Sequence, residues 1–139
     1  MKNLWPGSFK AHDFEAPKSI FEEQARLLPK LTGDLVYAEV SELNPDRSYL
    51  EGIRKDFAYG FYLKGKFLEN YSYKVLSFGH DITFYPISLY INSEIRKELG
   101  IGQPLVEVES PTELESVLQR VLVSDRLSKI IGAIMKISK

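Results

Sequence analysis

The sequence predicts an α+β fold: a mainly antiparallel sheet of about five strands, with N-terminal and C-terminal helices packed on one of its faces. Three observations carry this prediction. Apolar residues recur with a period near two from Phe57 to Ile91, and with a helical period on either side. The strand-like segments follow one another with only short turns between them, which suits an antiparallel meander. Strands gathered in the middle and helices at the ends give the α+β class.

The 139 residues suit one domain, residues 1–139, whose residues 1–16 read as an irregular arm. A chain of this size buries roughly 68% of the surface its unfolded form exposes, so it folds without metal or disulfide. Trp5, Phe9 and Phe14 are spaced along the arm as anchors to the body. Pro17 then opens a helix at the position where its missing N–H costs nothing. Ile20, Phe21, Leu27, Leu28 and Leu31 form its apolar stripe, with Glu22, Glu23 and Arg26 opposite. Pro29 must kink or end that helix, and Gly33 suits the left-handed residue that closes it.

Leu35 to Val40 alternates as a strand with Val36, Ala38 and Val40 on one face. Asn44-Pro45-Asp46-Arg47 reads as a turn cluster, and residues 43–55 as the longest irregular connection. Phe57, Tyr59, Phe61 and Leu63 mark the next strand, and Tyr71, Tyr73 and Val75 the one after. A further strand takes in Ile82, Phe84, Pro86 and Tyr90 on one face, with Tyr85, Ile87, Leu89 and Ile91 on the other. Pro86 cannot donate to a ladder, so that strand is expected at an edge or with a bulge. Asn92 caps a short helix that Gly100 stops, and Pro104–Glu109 is the last strand. Ser110-Pro111-Thr112-Glu113 is a capping box opening a helix with Leu114, Val117, Leu118, Val121 and Leu122. Continued in phase, that stripe would bury Asp125, Ser128 and Lys129, so a break is expected at Ser124-Asp125. A second helix should follow, carrying Leu127, Ile130, Ile131 and Ile134.

Composition narrows the function classes. Hydrophobic residues make 44% of the chain and charged ones 27%, ordinary for a globular protein. The absence of cysteine excludes thiol nucleophiles, disulfides and cysteine metal sites. A net charge of -1 gives no push towards nucleic acid or an anionic membrane. No secretory leader and no spanning segment are read, so a cytoplasmic location is expected. The C-terminal stripe with Lys129, Lys136 and Lys139 reads as a helix docked on the sheet in preference to a membrane-surface helix.

No catalytic, cofactor-binding or metal-ligating set emerges. His12-Asp13 and His80-Asp81 pair an imidazole with a carboxylate, and His80 with Asp81 is the better polar candidate because a hairpin tip projects it. Neighbouring residues need not converge, and neither pair has a third partner. Glu107 and Glu109 share a strand face without a histidine to join them. Gly100-Ile101-Gly102 follows a helix, where a dinucleotide loop follows a strand. Tyr71-Ser72-Tyr73-Lys74 comes closest to a base-stacking strand for single-stranded nucleic acid. Tyr59, Tyr62, Tyr71, Tyr73, Tyr85 and Tyr90 are more phenols than a small core satisfies, and tyrosine favours protein interfaces. The expectation is therefore an interaction module without cofactor. An aromatic sheet face or the Pro86 edge would bind another protein or a second copy of the chain. The alternatives are a small-molecule site or small enzyme with a pocket between sheet and helices, and single-strand binding.

Overall fold

A computed structural model describes residues 1–138; Lys139, named above with the C-terminal cations, lies outside them. Residues 1–16 enter no helix or strand. Pro17 occupies the first position of α1 (Pro17–Leu31), which runs two residues beyond Pro29. Gly33 and Asp34 follow with φ of 60° and 65°, the left-handed turn that reverses the chain. The Thr32 hydroxyl accepts the Val36 N–H at 3.1 Å, tying the helix end to the next strand.

β1 (Val36–Glu42), β2 (Phe57–Gly65), β3 (Leu68–His80), β4 (Ile87–Ile91) and β5 (Leu105–Val108) form one antiparallel sheet in chain order. Pairing sets the faces. Val36, Ala38 and Val40 lie opposite Gly65, Leu63 and Phe61; Phe61 and Tyr59 lie opposite Leu76 and Phe78. Phe78 then meets Leu89, and Leu89 meets Val106. This face carries the N-terminal and C-terminal helices. Phe21 of α1 stacks on Phe78 with centroids 3.9 Å apart and tilts against Phe61 at 5.8 Å. Leu114, Leu118 and Val121 of α4 (Pro111–Leu122), and Leu127 and Ile134 of α5 (Asp125–Ile137), join the same core. A Cβ on Gly65 would come within 2.8 Å of Ile134, so only glycine lets α5 settle there.

The break between the last two helices falls where expected. Ser110 Oγ accepts from Glu113 N at 3.2 Å at the start of α4, and Ser124 Oγ accepts from Leu127 N at 3.3 Å at the start of α5. Glu98 of α3 (Ser93–Leu99) adds a second cap to α5, accepting the Asp125 and Arg126 N–H groups at 2.8 Å each.

Two expectations need correction. Residues 43–55 contain α2 (Pro45–Leu50), whose N-cap Asn44 accepts from Asp46 N at 2.8 Å. Pro45 presets its first turn. The fourth strand begins only at Ile87 and lies between β3 and β5, so Pro86 is on no edge. Residues 81–86 form a loop in which Phe84 has φ 76° and the Tyr85–Pro86 peptide is cis. Alternation of Ile82, Phe84 and Pro86 imitates a strand without making one.

Because Phe21 is wholly buried and Leu31 is 79% exposed, the two ends of α1 should respond differently to truncation. Phe21→Ala is expected to cost about 3–5 kcal/mol, and Leu31→Ala no more than about 0.5 kcal/mol, in urea unfolding. Equal losses would show that the stack does not set the helix.

Candidate functional site

The six tyrosines do not share a surface. Tyr59 and Tyr73 belong to the helix-covered face, whereas Tyr62 and Tyr90 lie on the other. Tyr85 is in the 81–86 loop with its hydroxyl buried and unpartnered. Tyr71 alone of the six is exposed, at 42%. The opposite sheet face is itself partly occupied. Gly60, Ser77, Gly79 and Ser88 line it, and Ile53, just beyond α2, drops onto Gly79 where any Cβ would collide with it.

Under α2 sits an ion cluster. Glu51 Oε2 accepts from Lys74 Nζ and lies 3.4 Å from Arg47 Nε, with the Glu51 side chain 6% exposed. Its Oε1 is buried without a hydrogen-bond partner. The cluster fastens α2 to β3.

His80 is buried, yet no carboxylate faces its ring. Phe57 stacks on it at 5.4 Å and Phe84 meets it edge-on at 5.7 Å. Its Nδ1 is 2.8 Å from the Asp81 carbonyl, which fixes Nδ1 as the protonated nitrogen. The Asp81 carboxylate turns away, accepting from Asp56 N at 2.9 Å. His12 reaches the same ring cluster, 4.9 Å from Phe84. The histidines are thus brought together as packing elements of an aromatic lid over the sheet end, and His80 with Asp81 forms no acid–base pair. Among the described residues, no three His, Asp or Glu side chains are grouped to hold a metal. No described helix is long and apolar enough to cross a membrane.

The feature with the geometry of a binding site is a hollow between α1 and α5. Leu27, Leu28 and Leu31 form one wall, and Leu127, Ile131 and Met135 the other. Ala38, Phe61 and Leu63 make its floor, and Leu122 and Val123 close one end. Its volume is about 410 Å³, within the range of ordinary ligand pockets. Gln24 and Thr32 are its polar lining residues, and among the described residues no charged side chain lines it. Leu27, Leu31 and Val123, at 43%, 79% and 68% exposure, form apolar lips that face water. Two signals in the sequence point here. Gln24 interrupts the stripe of α1 midway between Ile20 and Leu28, and Ala38 stands between two valines on the core face of β1.

Comparison with family models, with curated proteins and with solved structures finds no match.

Two outcomes follow from the buried polar groups. Lys74→Met leaves the Glu51 carboxylate buried beside a mostly exposed arginine and should cost about 3–5 kcal/mol. Glu51→Leu combined with Lys74→Met should recover most of that loss; a double variant as unstable as the single would refute this account. Burial, and secondarily the nearby Glu15 carboxylate, hold the Tyr85 phenol above its ordinary range. A raised phenol favours the protonated folded state, so its stabilisation is complete below a pH of about 10 and drains away above it. Tyr85→Phe should leave neutral-pH stability unchanged or higher and flatten the fall above that pH, read as chemical denaturation across alkaline buffers.

Proposed function

We propose that this protein is a binding protein for an apolar small molecule, held between the sheet and the terminal helices. The observation that carries the reading is the leucine-lipped hollow itself. Single exposed leucines are ordinary, but several converging on one concavity mark an interaction site. The walls come from two rigid helices and the floor from two strands, so the cavity is largely preformed and binding orders little of the chain. Among the described lining residues the one hydroxyl, Thr32, is engaged with the backbone of Leu28 and Val36, and no histidine or carboxylate stands beside it to act as a base, which supports binding in preference to chemistry. The dispersal of the six tyrosines over both sheet faces and the 81–86 loop gives an aromatic protein-binding surface no single patch to rest on.

An uncharged naphthylamine dye tests this directly. N-phenyl-1-naphthylamine should show saturable, one-to-one fluorescence enhancement with the folded protein, and a medium-chain alcohol should displace it. At a hundred times its dissociation constant, a ligand should stabilise the fold by about 2.7 kcal/mol. Ala38→Phe fills the floor and Leu31→Glu charges a lip, and each should weaken dye binding at least tenfold with the melting temperature of Leu31→Glu unchanged. Absence of saturable binding, or full binding by both variants, would sink the proposal.

A further inference from the structure

Beside the apolar hollow lies a second one of about 320 Å³, and the two share Gln24, Leu122 and Val123 as lining residues. Its other lining residues are Glu115, Leu118 and Gln119, all on α4. Among the described residues, no lysine, arginine or histidine lines either hollow. The side chains of Gln24, Gln119 and Glu115 make no hydrogen bond or ion pair to another described residue. The combined site is therefore amphiphilic: a leucine-walled trough opening at one end onto two carboxamides and one carboxylate.

Resting on the reading of the apolar hollow as a ligand site, we infer that the ligand is a single-chain amphiphile with an uncharged, hydrogen-bonding head, a primary amide or an alcohol. The tail lies along α1 from Leu27 to Leu31, and the head sits among Gln24, Gln119 and Glu115. Each glutamine offers two N–H donors and a carbonyl acceptor, and Glu115 adds acceptors only. An amide head returns both roles, its N–H groups to Glu115 or a glutamine carbonyl and its carbonyl to a glutamine N–H. A carboxylate head can accept from the glutamines but meets Glu115 as a like charge, with no lining cation to offset it. Water screens the exposed Glu115, which limits its repulsion of a carboxylate as much as its attraction for an ammonium, and an ammonium also leaves the glutamine N–H donors without an acceptor. Gln24 to Leu31 spans about 10 Å of helix, the scale of a medium-length alkyl chain.

Competition against N-phenyl-1-naphthylamine with four ligands of equal chain length, decanamide, decanol, decanoate and decylamine, separates the possibilities. Decanamide and decanol should displace the dye at concentrations about threefold to fivefold below decanoate and decylamine. Glu115→Gln should bring decanoate level with decanol, since it removes the repulsion while keeping the shape. Gln119→Leu, outside the apolar hollow, should weaken decanamide at least fivefold while dye affinity stays the same, a split that mere damage to the fold would not give. Decanoate binding as well as decanamide, or a gap that Glu115→Gln leaves unchanged, overturns the head-group assignment. Dye binding that none of the four displaces overturns it too. If the dye itself does not bind, the fault lies in the apolar site and both readings fall.

Discussion

Phe21 lies flat on Phe78 and leans on Phe61, and that contact of three rings decides where α1 can rest. A stacked pair of this kind contributes about 0.5–1.5 kcal/mol beyond its buried area and fixes position as well as energy. It seizes the first half of the helix only. Beyond it, Leu27 and Leu31 have no partner of comparable size, and Pro29 removes a backbone donor from the same stretch. On the other side α5 is held by Leu127 and by Ile134 against Gly65. Two helices anchored at different places on the sheet, Phe21 at Phe61 and Phe78 and Ile134 at Gly65, leave the space between them to whatever the floor residues fill. Ala38 fills less of it than a valine would.

The opposite sheet face obeys a different rule. Its lane of glycine and serine lets the Ile53 side chain sit directly on the sheet backbone at Gly79, so this segment lies close without a large apolar cluster. What holds them is the Glu51–Lys74 pair with Arg47 above it. Buried pairs give little net stability because desolvation offsets their attraction, yet they strongly disfavour arrangements that leave one charge alone. The pair therefore specifies where α2 lies more than it strengthens the fold. Apolar rings govern one layer and a charge pair the other.

Much of the fold was legible because its signals are local. Ser110-Pro111 with Glu113, Asn92, and Ser124 all cap the helices that their spacing announces, and the out-of-phase Asp125 correctly marks the junction of α4 and α5. Asn44-Pro45-Asp46 follows the same grammar, but six residues without an apolar stripe read as a turn. The 81–86 loop deceived for the opposite reason. Its alternation is strand-like, and what overrides it is long-range: His12, Phe14 and His80 take up Phe84 and Tyr85 as a ring cluster. Alternation also cannot reveal which tyrosines a helix will cover, since the sheet has large residues on both faces. The hollow was half legible. Gln24 and Ala38 are visible anomalies, but the gap between α1 and α5 depends on how two helices divide one sheet, which no local pattern encodes.

A void of about 410 Å³ sealed inside the core would cost roughly 10 kcal/mol on the usual cavity scale, comparable to the whole stability of a small domain. The fold survives because the hollow opens to water past Leu27, Leu31 and Val123, so its walls are wetted and no vacuum is enclosed. That exchange moves the cost from lost packing to hydrated leucine. Apolar surface is worth about 25 cal/mol per Å² when it leaves water, and an occupant would recover it from both walls and the floor together. One larger side chain in place of Ala38 would reduce the same cost permanently. A chain under selection for stability alone has that remedy a single substitution away; leaving the floor low makes sense where the space itself has a use.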